Sequence, residues 1–106
     1  MGIRRYTTPT QELKVMGIDL TSFDVYVTYK QGHIRATFSG DDVHVSYDGT
    51  DTVIRVSFSQ EESAKFEDKK PAEVQVNWFV NGKRNATCIK ETLILRNLLE
   101  EVINDE

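Results

Sequence analysis

The sequence predicts an all-β domain: seven antiparallel strands in two sheets packed face to face, with one short helical crossover near residues 59–67. Three observations carry this. Apolar and polar residues alternate with a period of two along most of the chain, which sends every second side chain to one face of a sheet. Short turn clusters separate the alternating runs: Gln31-Gly32, Ser39 to Asp42, Asp48-Gly49 and Asn81-Gly82. Connections of that length exclude an all-parallel sheet, whose crossovers need a dozen or more residues. A closed barrel of similar strand count is the competing architecture.

Size and charge are those of one ordinary globular domain. The chain has 106 residues, 39% apolar and 28% charged, with a net charge of −4, a balance that argues against general binding to a phosphate backbone. Cys88 is the single cysteine, so no intrachain disulfide forms. Neither a membrane span nor the apolar run of a signal peptide is expected.

The elements follow in order. Residues 1–10 are polar and read as an extended arm, and residues 11–96 form the sandwich. Leu13 and Val15 alternate with Glu12 and Lys14 in a first strand that stops at Gly17. In "FDVYVTYK", Phe23, Val25, Val27 and Tyr29 share the inward face. Gln31-Gly32 turns the chain into "HIRATFS", where Ile34, Ala36 and Phe38 face in. "VHVSY" places Val43, Val45 and Tyr47 together, and Asp48-Gly49 has the composition of a type I′ turn. "TVIRVSF" contributes Ile54, Val56 and Phe58.

Next comes "SFSQEESAKFEDKKP" (57–71), which breaks the alternation. Ser59 and Glu62 have the spacing of a reciprocal capping box, Glu61 and Glu62 suit the positive end of a helix, and Pro71 ends it. A short helix fits a chain that must cross roughly 10 Å from one sheet to the other, with Ala64 and Phe66 closing the end of the core. "EVQVNWFV" then aligns Val74, Val76, Trp78 and Val80 inward. Asn81-Gly82 turns into "RNATCIKETLILR", with Ile89, Leu93 and Leu95 expected inward. In "NLLEEVINDE" (97–106), Asn97 and Glu100 have helix-cap spacing, giving a short C-terminal helix or tail.

Chemistry-bearing residues are sparse. A nucleophilic enzyme would need Cys88 beside His33 or His44, and nothing local pairs them. Two histidines fall short of a zinc set. Asp41, Asp42, Asp48 and Asp51 lack the alternate spacing of a calcium loop and match the ordinary use of Asp in turns. No catalytic, metal or cofactor residue is expected, and no cofactor. Arg4 and Arg5, with "KRN" at 83–85, are too few and too isolated for a nucleic-acid surface. Tyr26 and Phe79 are different, because alternation puts both rings on outward faces. Outward aromatics mark a candidate partner surface, to which Arg4 and Arg5 could add charge.

Three stretches carry a family resemblance. "DLTSFDVYVTY" (19–29) resembles the opening strand of immunoglobulin-like domains in tailed-phage baseplate and tail-fibre proteins. "VIRVSFSQEESAKF" (53–66) is similar to that family's strand ending in a Leu-Thr-x-Glu-Glu-Thr turn, and "VQVNWFVNGKRNAT" (74–87) looks like its closing hairpin. Ser22 stands where the family has Gly, and "KKPAEVQV" lacks its Pro-x-Gly-x-Tyr. The resemblance implies an immunoglobulin-like sandwich and a non-enzymatic role in phage or prophage structure or assembly. It implies contacts with other tail or baseplate proteins or with copies of itself, and a homo-oligomer. The expected location is the host bacterial cytoplasm during assembly, then the virion. Neither nucleic acid nor membrane is an expected partner. A carbohydrate- or host-surface-binding module on the same fold is the alternative, and a small Cys/His enzyme the third reading.

Overall fold

The computed structural model describes residues 2–104. Nine strands, one α-helix and a short 3-10 turn (Gly40–Asp42) are found among them: β1 (Gly2–Arg4), β2 (Thr10–Val15), β3 (Val25–Gln31), β4 (Ile34–Phe38), β5 (Val43–Tyr47), β6 (Thr52–Ser57), α1 (Gln60–Ala64), β7 (Ala72–Val80), β8 (Lys83–Ala86) and β9 (Lys90–Leu95). They form two separate sheets. The larger runs β1-β9-β7-β3-β4, with β8 also paired to β7; the smaller runs β2-β6-β5. No ladder among the described residues joins them, so the architecture is an all-β sandwich rather than a closed barrel.

Two features correct the seven-strand, all-antiparallel expectation. The first lies in the expected arm, where Gly2–Arg4 pairs in parallel with Leu93–Leu95. Ile3 is fully buried there, and that burial holds a strand too short to be seen in the sequence. The second is a split in the last strand. Residues 83–86 pair with Val80 to Asn77 of β7, and residues 90–92 pair with Val74 to Ala72 of the same strand. Between them the chain leaves the ladder, bonded through Thr87, whose amide donates to the Val76 carbonyl at 2.9 Å.

That break changes which face points inward. Thr92 and Ile94 are buried, whereas Ile89 and Leu93 are more than half exposed. The expected inward set of Ile89, Leu93 and Leu95 is thus in the wrong phase. Thr92 is accommodated because it accepts a hydrogen bond from Gln11 Nε2 at 2.9 Å, and Gln11 Oε1 in turn accepts from the Tyr29 hydroxyl at 2.7 Å. This buried chain of polar groups stitches β2 of the small sheet to β3 and β9 of the large one.

Elsewhere the expected inward sets fill the core. Val25, Val27, Tyr29, Ala36, Phe38, Ile54, Val56, Phe58, Val74, Val76 and Trp78 are buried together. Tyr29 meets Phe58 edge-on at 5.0 Å and Phe38 at 5.7 Å between ring centroids. Such pairs add to their area of burial. On the edge strand β5, Val43 and Val45 are only half-buried and Tyr47 is exposed.

The helix crosses between the sheets, from β6 to β7, as expected. Its capping box is reciprocal: the Glu62 amide donates to Ser59 Oγ at 3.1 Å and the Ser59 amide to Glu62 Oε1 at 2.8 Å. Phe66 is fully buried beneath it. The turns differ in detail. Asn81 and Gly82 both have positive φ, 50° and 78°, as a type I′ turn needs. Between β5 and β6 only Gly49 does. That four-residue loop is tied instead by the Asp48 carboxylate, which accepts from the amides of Thr50 and Asp51. Those bonds hold the Asp48 carboxyl below the usual range. The β3–β4 turn is Gly32-His33, with Gln31 kept in the strand. In the tail, the Leu99 amide donates to Asn97 Oδ1 at 3.2 Å, but residues 97–104 form no helix.

Candidate functional site: the outer face of the larger sheet

Strand register assembles a site that no single segment shows. In β3, Tyr26, Thr28 and Lys30 point away from the core because Val25, Val27 and Tyr29 point into it. The same parity turns Gln75, Asn77 and Phe79 outward on β7 and Arg35 and Thr37 outward on β4. Pairing then sets Tyr26 opposite Asn77, Thr28 between Gln75 and Thr37, and Lys30 opposite Arg35. Phe79 lies opposite Arg84 of β8. Together these side chains line a shallow concavity of about 450 Å³. Ile89, displaced outward by the break after β8, borders it beside Thr28, Lys30 and Gln75.

Tyr26 and Phe79 therefore do share one surface, diagonal neighbours on adjacent strands, a separation that aromatic side chains span. Phe79 is 50% exposed and Tyr26 36%. Around the two rings stand hydrogen-bonding groups. Arg84 Nε donates to Asn77 Oδ1 at 3.1 Å, the hydroxyls of Thr28 and Thr37 lie 3.1 Å apart, and Gln75 Nε2 donates to the Thr87 carbonyl at 2.8 Å. These bonds fix the amides without occupying all their donors and acceptors. Lys30, Arg35 and Arg84 line the concavity and no carboxylate does; Glu73 stands only at its Lys30 end. None of the three cations forms an ion pair among the described residues. In an acidic chain, this is a local cationic surface with exposed rings and amides, suited to a partner offering apolar groups and negative charge.

Arg4 and Arg5 are placed elsewhere, on and just after β1 at the opposite edge of the sheet. Arg4 donates to the Arg96 carbonyl. Arg5 is built into the fold: its guanidinium donates to the carbonyls of Phe66 and Ala64, just past and at the end of α1, and pairs with Glu100 at 3.4 Å. Cations suit a helix C-terminus for this reason.

The residues weighed for catalysis are dispersed. Cys88 lies in the break between β8 and β9, His33 in the β3–β4 turn and His44 on the smaller sheet. Among the described residues no group of three or more His, Cys, Asp or Glu could hold a metal ion. No helix of the structure is long and apolar enough to cross a membrane.

Sequence reasoning found Tyr26 and Phe79 by parity but missed Lys30, Arg35, Asn77 and Ile89. The signal for most of them was present: the alternation that exposes Tyr26 also exposes Lys30, and the one that exposes Phe79 also exposes Asn77. Only the register showed that these rows lie side by side. No protein-family model matches the sequence, and no curated protein matches it.

Proposed function

We propose that this chain is a non-enzymatic structural or assembly module of a phage or prophage tail, built on an immunoglobulin-like sandwich. It acts through protein–protein contacts made by the outer face of its larger sheet, with other tail or baseplate proteins or copies of itself as partners. The observation that carries this reading is the joint exposure of Tyr26 and Phe79 on a concave face lined by Lys30, Arg35 and Arg84. The three sequence stretches resembling tail-protein domains supply the context. The host cytoplasm during assembly and then the virion are its places of action. Tail particles purified from cells expressing the chain should contain it by mass spectrometry. Replacing Tyr26 and Phe79 together with alanine should deplete it from the particles while leaving its melting temperature nearly unchanged. Retention of the double variant at the normal level would sink the reading.

The same rings, beside the amides of Gln75 and Asn77, also favour a second reading, a carbohydrate- or host-surface-binding module. Saturable binding on a glycan array, lost in Tyr26→Ala or Phe79→Ala, would establish it in place of the first.

A further inference from the structure

The segment that follows β9 presents an unusual surface. Residues 98–106 read "LLEEVINDE", four apolar residues and four carboxylates without a single cation. Leu98 is 85% exposed, and Leu99, Val102 and Ile103 are each close to half exposed. The segment is nevertheless anchored. Asn97 Nδ2 donates to the Arg5 carbonyl at 2.9 Å, and Arg5 holds Glu100. Gln60 of α1 grips the backbone of Ile103 from both sides, donating to its carbonyl at 2.7 Å and accepting from its amide at 2.8 Å. A backbone held in place while its apolar side chains face water is a presented surface.

Its chemistry complements the outer face of the larger sheet. That face offers three cations, two exposed rings and no lining carboxylate; this segment offers carboxylates and aliphatic side chains. The segment and the aromatic part of that face lie toward opposite ends of β7, while Lys30 and Arg35 stand at the end nearer the segment. Residues beyond Thr92 run past Ala72, the first residue of β7, whereas Phe79 and Arg84 lie at its far end.

We propose that the outer face of one copy receives the 98–104 segment of a second copy, so that the chain self-associates head to tail. This rests on the reading of that face as a protein-contact surface and names its partner. The contact joins two different patches, so each added copy leaves one donor and one acceptor free, and the assembly closes into a ring or extends as a filament. Apolar contact with Tyr26 and Phe79 supplies the attraction, and the charge pairs fix the direction of approach and deter parallel mismatches.

The test is a charge exchange in the full chain, read by light scattering and sedimentation across a wide concentration range. The wild type should self-associate, and raising salt from about 0.05 M to about 0.5 M should weaken it. Arg35→Glu with Arg84→Glu should abolish association at concentrations where the wild type is assembled, and so should Glu101→Lys. An equimolar mixture of the two variants should regain it, since the lysine introduced at position 101 then meets a face of opposite sign. Circular dichroism melts check folding; should Arg84→Glu disturb β8, Lys30→Glu on β3 carries the same reversal. A monomeric wild type, association indifferent to either variant, or a mixture that stays dissociated would each overturn the inference. None of these results decides the particle experiment with Tyr26 and Phe79, so the wider reading stands or falls separately.

Discussion

Tyr29 joins the aromatic core to the buried polar chain between the sheets. Its ring contacts Phe38 and Phe58, and its hydroxyl donates to Gln11. Burial pushes the phenol far above its ordinary value of 10.0, because the phenolate would lose water without gaining a compensating partner. The folded state thus prefers the protonated ring. Its contribution is fully present below the unfolded value and is lost as pH rises through and beyond it. Tyr29→Phe leaves the buried Gln11 oxygen without its donor, at a cost of about 1–3 kcal/mol near neutral pH. The difference in urea midpoint between wild type and variant should shrink as pH rises past 10, since the phenylalanine has no proton to lose. A gap that stays constant to high pH would show that the hydroxyl is not sequestered as described. The sequence placed Tyr29 inward correctly from parity, yet parity also assigns Gln11 to that face, and nothing in the pattern says that a glutamine will be tolerated there. It is tolerated because Tyr29 and Thr92 satisfy it, and those partners are 18 and 81 residues away.

The strand pairs and the crossover helix were readable for a different reason: their signals are local. Ser59 and Glu62 are three residues apart, and Asn81 and Gly82 are adjacent, so geometry follows from neighbours alone. Ser59→Ala should destabilise the domain by about 1 kcal/mol, measured by denaturant midpoint. Glu62→Gln, which retains a side-chain acceptor for the Ser59 amide, should cost less. Equal losses would mean that charge at the helix end, rather than the reciprocal bonds, is what matters there. The last strand defeated the same logic. In "ETLILR" both phases contain apolar residues, and the Thr87–Ile89 stretch that leaves the ladder decides between them, so the choice rests on tertiary pairing. β1 escaped notice because a three-residue strand has no period to detect; its single anchor, Ile3, gains its burial only when β9 lies beside it.

For the molecule as a whole, sheet parity and hairpin neighbours were accessible, and neighbours not joined by a hairpin were not. The candidate face illustrates this: each row of it could be written down from the alternation of its own strand, but the pairing of β3 with both β4 and β7 brings Lys30, Arg35, Tyr26, Phe79 and Arg84 onto one surface. The parallel pairing of β1 with β9 has a mechanical meaning. Parallel neighbours pulled from the start of one and the end of the other slide along each other, so their bonds bear the load together instead of parting singly. The Arg5 amide bonded to Leu95, the Arg4 guanidinium on Arg96 and the Asn97 amide on Arg5 add to the same clamp. Forced unfolding is governed by the unfolding barrier. Optical-tweezer handles at residues 2 and 96 should therefore meet a higher rupture force than handles at residues 24 and 39, which peel open the β3–β4 hairpin bond by bond. A module strung in series under tension would yield last at the seam between its first and last strands.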